Sequence, residues 1–173
     1  MSLSTDVPKT VWQDIHIFVG TMGANDAMAS SWDDLGSIDA NALTITTQDG
    51  TVYRLVDING KLLDILRDEP QLTINFTLLK PTEATRGKFW TVEESGSGNT
   101  RKLQVKSLLP TSHMSVKFAS TIVGSETFEA AKAFVSMKPG WEKAKGFNNA
   151  CTAELVMGQT GVLFQFGVVP AAG

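Results

Sequence analysis

The nine residues Gln71–Leu79 constrain the fold more than any other part of the chain. Leu72, Ile74, Phe76 and Leu78 alternate there with Thr73, Asn75 and Thr77. Successive side chains of an extended strand point to opposite faces, so the alternation places four large apolar groups on one side of a half-buried strand. Leu43-Thr44-Ile45-Thr46 begins a similar pattern. Asp49-Gly50 follows, a dipeptide that readily takes the positive φ angles of a tight hairpin turn, and a strand is expected to return through Thr51–Ile58. Asn59-Gly60 repeats the turn signal, which makes Lys61–Leu66 a further extended segment before the polar break Arg67-Asp68-Glu69-Pro70. In the middle of this region Asp57, Lys61, Asp64, Arg67, Asp68 and Glu69 interrupt the apolar pattern. That is expected of a ribbon that extends beyond the body of a sheet and needs a partner to be fully buried.

The rest of the chain continues in short strands. Pro81–Val92 is the best helix candidate: Lys80-Pro81-Thr82 can start a helix with Pro in its first turn, and Phe89, Trp90 and Val92 supply an apolar face, although Gly87 weakens it. Ser95-Gly96-Ser97-Gly98-Asn99 is expected to be a flexible surface loop. Leu103 with Val105, and Val116 with Phe118, mark two strands separated by the turn-like Pro110-Thr111-Ser112. Phe128–Val135 is ambiguous. Its Ala, Glu and Lys content favours helix, whereas the surrounding topology favours a short β-edge before Lys138-Pro139-Gly140, and strand is the preferred reading. Cys151, Ala153, Leu155 and Met157 alternate with Thr152, Glu154 and Val156. Gly158-Gln159-Thr160-Gly161 then turns the chain into Val162–Phe166, which predicts a C-terminal hairpin. Many short strands and one modest helix predict a mainly β fold, an antiparallel β-sandwich or barrel with one helix and a long extended β-hairpin arm.

Composition narrows the function. A chain of 173 residues, 42% hydrophobic and 19% charged, is expected to fold as a single domain over residues 1–173, with residues 1–10 as a flexible lead. A formal net charge of -3 removes the usual electrostatic case for nucleic-acid binding, which depends on clustered Lys and Arg displacing counterions from phosphates. No stretch approaches the roughly 20 apolar residues of a spanning helix, and Met1–Thr10 lacks a signal peptide's apolar core, so no membrane contact and synthesis in the cytoplasm are expected. The single cysteine, Cys151, cannot form an internal disulfide and fits a small core position.

Catalytic signatures are missing from the pattern. His16 and His113 belong to no H-E-x-x-H motif; His16, within Ile15-His16-Ile17-Phe18, should face away from the isoleucines and need only solvent or one hydrogen bond. There is no G-x-S-x-G elbow, and Ser112-His113 is adjacency without geometry. The loop at Ser95–Gly98 lacks the Lys and following Ser or Thr of a phosphate-binding loop. The acidic pairs Asp33-Asp34, Asp68-Glu69 and Glu93-Glu94 have no calcium-loop spacing. No cofactor and no metal are expected, and an enzyme is not expected. The tryptophans Trp12, Trp32, Trp90 and Trp141 suit sugar stacking, core anchoring or subunit contact equally well.

The segment Ser31-Trp32-Asp33-Asp34-Leu35-Gly36-Ser37-Ile38, followed by Leu43-Thr44-Ile45-Thr46 and later by Leu72-Thr73-Ile74-Asn75-Phe76-Thr77-Leu78-Leu79, resembles the tail tube proteins of long-tailed bacteriophages. The order of features is also similar: an entry of the W-x-D-L-G kind, a long hairpin, an apolar alternating strand, a helix and terminal strands. The resemblance is clearest from Ser31 to Val92 and topological beyond it. It implies a virion or prophage structural protein, made in the bacterial cytoplasm and ending in the tail. Such a protein forms homo-oligomeric, typically hexameric, rings stacked into a tube through which DNA passes without specific binding. Other tail proteins would be its remaining partners. The hairpin around Thr47–Pro70 would reach the neighbouring ring, with Asp57, Asn59, Gly60, Lys61, Asp64, Arg67 and Asp68 as inter-subunit contacts. The alternative is a non-catalytic β-sandwich module binding carbohydrate or protein.

Overall fold

The computed structural model describes residues 14–39, 41–79, 81–108, 113–143 and 146–170. The expectations for Met1–Thr10, Trp12, Lys80 and Pro110-Thr111-Ser112 lie outside the described residues. The strands are β1 (Ile15–Gly20), β2 (Asp33–Ser37), β3 (Thr44–Gln48), β4 (Val52–Val56), β5 (Leu62–Arg67), β6 (Gln71–Leu79), β7 (Thr91–Ser95), β8 (Lys102–Ser107), β9 (Met114–Ser120), β10 (Glu126–Glu142), β11 (Gly146–Leu155) and β12 (Gln165–Val168), with one α-helix, α1 (Glu83–Phe89). Eight strands form one sheet in the order β2-β1-β9-β10-β11-β6-β3, with β12 attached to β10. Two antiparallel ribbons, β4-β5 and β7-β8, stand apart from it. The fold is therefore mainly β and antiparallel, with one helix and an extended hairpin, as expected. Of the two architectures anticipated, it is consistent with the sandwich: the sheet curls until its ends approach at the single bridge Ile38–Leu78, and no ladder closes it into a barrel.

The alternation of β6 works as anticipated, with Ile74, Phe76 and Leu78 buried. Ile15, Ile17 and Val19 of β1, Val116 and Phe118 of β9, Phe128, Ala133, Val135 and Met137 of β10, and Cys151, Ala153 and Leu155 of β11 join them in one core. Helix α1 lies against this core through Phe89. It starts where the Thr82 hydroxyl accepts the Thr85 backbone N–H at 3.1 Å, and ends where Trp90 turns extended. The predicted Pro81–Val92 span is thus shortened at both ends, and Val92 belongs to β7.

Three further expectations are corrected. Phe128–Val135 is a strand, but it belongs to the 17-residue β10, which continues through Lys138-Pro139-Gly140. Core alternation outweighs the helix preference of its alanines, and a bulge between Ala130 and Ala133 absorbs the irregularity. The buried Ser115 hydroxyl donates to the Ala131 carbonyl at 2.7 Å and accepts the Ala29 N–H at 3.1 Å, so the bulge leaves that carbonyl satisfied. Secondly, Val162–Phe166 does not form a hairpin with the preceding strand. The turn at Gly158–Gly161 is present, but β12 pairs with the Glu126–Glu129 end of β10, while β11 holds the Ala133–Glu142 portion of β10 and β6 on its other side. With both edges of β11 occupied, the returning chain takes the free stretch of β10. Thirdly, Asp49-Gly50 is not a hairpin turn: β3 pairs with β6, and β4 with β5.

Candidate assembly surface

The β4-β5 ribbon continues the β3-β6 ladder. Gln48 lies opposite Gln71 and Val52 opposite Arg67, so Asp49, Gly50 and Thr51 face Asp68, Glu69 and Pro70 with no change of register. The ladder is interrupted where Pro70 has no N–H to donate. The Asp68 N–H still bonds the Thr51 carbonyl at 3.0 Å. Gly50 is required for this contact rather than for a turn, because a Cβ there would stand 1.9 Å from the Asp68 carbonyl oxygen. At the apex the Asp57 carbonyl accepts the Gly60 N–H at 3.0 Å and the Asp57 N–H donates to the Lys61 carbonyl at 2.9 Å, with Gly60 at φ +78°. This is a three-residue loop with a glycine bulge. The Asp57 Oδ1 atom accepts the N–H groups of Asn59 and Lys61, both at 2.8 Å, and fixes the loop.

The ribbon is exposed along its whole length. Val52, Tyr53, Leu55, Val56, Ile58, Leu62, Leu63, Ile65 and Leu66 are all solvent-facing, and Ile58 at the apex is 100% exposed. Tyr53 opposes Leu66 and Leu55 opposes Asp64 on one face; Val52 opposes Arg67 and Arg54 opposes Ile65 on the other. By strand alternation the first face continues the core side of β6, so the core-facing surface runs off the body onto Tyr53, Leu55 and Leu66. Large apolar side chains contribute about 1.5–3 kcal/mol each when fully covered, and nothing among the described residues covers these.

All seven residues expected at inter-subunit contacts lie on this arm. Asp57, Asn59, Gly60 and Lys61 build its apex, Asp64 and Arg67 stand in β5, and Asp68 marks the stem. The apolar side chains between them escaped the charge-based reading. Their signal is the near-continuous runs Val52-Tyr53 and Leu55-Val56 on one strand and Leu62-Leu63 and Ile65-Leu66 on the other, a pattern of strands covered on both faces.

A second exposed apolar site lies at the end of the β10-β11 hairpin. Trp141 and Phe147 are cross-strand partners, 63% and 74% exposed. Beside them Arg86, Trp90, Pro139, Gly140, Phe147, Asn148 and Asn149 line a cavity of about 300 Å³. The Arg86 Nε atom is buried and has no hydrogen-bond partner. Of the other described tryptophans, Trp90 is a core anchor whose indole N–H donates to the Met137 carbonyl at 2.7 Å, and Trp32 lies under the Lys117 ammonium.

His16 has more partners than expected. Its Nδ1 lies 2.8 Å from Asp34 Oδ2, and its Nε2 lies 3.2 Å from the Ser37 hydroxyl and 3.3 Å from Asp14. Ser37 also donates to Asp14, so serine and carboxylate share one ring nitrogen on the outer face of β1 and β2, and none of the described cavities opens there. Two of the three acidic pairs are engaged at the surface: Asp33 with Lys88, Glu93 with Lys106 and Glu94 with Arg101. Among the described residues no group of three or more His, Cys, Asp or Glu is placed to hold a metal ion, and no helix is long and apolar enough to cross a membrane.

No protein-family model matches the chain, and no curated protein matches it.

Proposed function

We propose that this chain is a structural protein of a virion or prophage, which assembles with copies of itself into rings stacked as a phage tail tube, a conduit for DNA. The observation that carries this reading is the arm: a β-ribbon continuous in register with the sheet, apolar on both faces, and uncovered. A two-stranded ribbon is marginally stable at best alone in water, whereas a neighbouring copy supplies the missing layer. The curled sheet supports the same reading, because the outer edges of β2, β3 and β12 are available for lateral pairing. In this account the chain acts by geometry, DNA passes without specific contacts, and the protein's partners are its own copies and the other proteins of the tail.

Light scattering over a concentration series, followed by electron microscopy of the large species, tests the proposal. Rings or tubes one subunit thick are expected. A strict monomer at every concentration, with no polymers after changes of salt or temperature, overturns it. The exposed Trp141–Phe147 pair favours one alternative, a carbohydrate-binding module, and a monomer that binds a glycan array through that pair is its signature.

A further inference from the structure

The arm and the β10-β11 cavity lie at opposite ends of the same strand. β6 meets the arm at Gln71, which opposes Gln48. Its other end, Leu78 and Leu79, opposes Asn149 and Asn148, two residues of the cavity wall. Nine residues separate the two poles by roughly 30 Å. A projection at one pole and a recess at the other form a head-to-tail pair, which repeats in one direction as copies are added.

The geometry points to the cavity lined by Arg86, Trp90, Phe147 and Asn148 as the acceptor for the arm apex of a second copy, with Ile58 as the inserted side chain. This inference rests on the assembly reading above and names the contact that the reading needs. Ile58 stands fully exposed at the tip of a loop whose backbone is fixed by Asp57. The cavity, about 300 Å³, is lined by the aromatic residues Trp90 and Phe147.

Charge selects this cavity over the others. The two recesses at the stem of the arm are lined by Glu69 and Glu154, and by Asp49, Asp68 and Glu69, which repel the Asp57 carboxylate. In the recess beside β1 the cation, Lys88, is already paired with Asp33. Only the cavity under the β10-β11 hairpin, among these four, has a cationic side chain and no carboxylate in its wall. Both loop bonds of Asp57 fall on Oδ1, which leaves Oδ2 to pair with the Arg86 guanidinium in the cavity wall. The arm spans Thr51 to Ile58, roughly 25 Å, less than the length of β6, so its apex meets the adjacent copy and not one beyond.

The test places a photo-cross-linking amino acid at position 58 of the full chain, irradiates the protein under assembling conditions, and maps the adducts by mass spectrometry. Electron microscopy of the same samples scores assembly. Adducts on Phe147, Trp90 or their immediate neighbours are expected. Polymers whose adducts map elsewhere overturn the acceptor while the assembly reading stands, and an absence of any polymer overturns both. Ile58→Asp supplies a second measurement. It is expected to leave the circular dichroism of the body unchanged and to raise the concentration at which polymers appear at least tenfold; polymers at the original concentration overturn the inference.

Discussion

Burial holds the Cys151 thiol in its neutral form, pushing its pKa up to about 12 from an ordinary value near 9. The sign of the consequence follows from proton counting. Between these values the unfolded chain loses its thiol proton and the folded chain keeps it, so stability falls as pH rises from about 9 towards 12, by at most about 1.4 kcal/mol per pH unit. Urea midpoints measured across this range should decline more steeply for the natural chain than for Cys151→Ala. The same burial makes the thiol inert, and alkylation at pH 8 is expected only after denaturation. Trp90 is a second buried residue whose polar atom has a partner. Trp90→Phe keeps an aromatic ring but deprives the Met137 carbonyl of its 2.7 Å donor, and a loss of about 1–3 kcal/mol in urea unfolding is expected.

At the scale of elements the arm is separable from the body. It is joined only through its stem, and excision of residues 52–66 with a short turn in their place is expected to leave a folded monomer with an unchanged core that no longer polymerises. Gly50→Ala probes the stem. A Cβ there meets the Asp68 backbone, so the ribbon must shift, and polymerisation should weaken while thermal unfolding of the body changes little. Which segments are strands could be read from side-chain alternation, as in β6 and in β11 up to Leu155, because a period of two follows directly from strand geometry. Which strands pair could not. Asp49-Gly50 and Gly158–Gly161 are sound local turn signals, but pairing depends on which sheet edges are free, a property of the assembled fold. The extent of β10 was hidden for a related reason, since Pro139 and Gly140 read as breakers until the flanking strand holds them extended. In the arm six polar residues and Gly60 marked the position of the candidate site, but the chemistry lies largely in the apolar residues between them, which only the absence of a covering layer makes conspicuous.

The molecule as a whole is polar in the geometric sense: an uncovered apolar ribbon leaves one end of β6, and a cationic, aromatic recess lies at the other. A net charge of -3 over 173 residues opposes association only weakly, so apolar contact is free to dominate. Assembly is accordingly expected to strengthen with added sulfate and with warming from low temperature, both of which favour burial of apolar surface. Hydrogen–deuterium exchange of the backbone amides of residues 52–67, compared between dilute and concentrated protein, reads directly whether a second copy covers the arm. These amides are expected to exchange rapidly at low concentration and to become strongly protected as polymers form, while β6, β10 and β11 remain protected throughout. Equal exchange of the arm at every concentration, in a protein that stays monomeric, would contradict assembly through the arm.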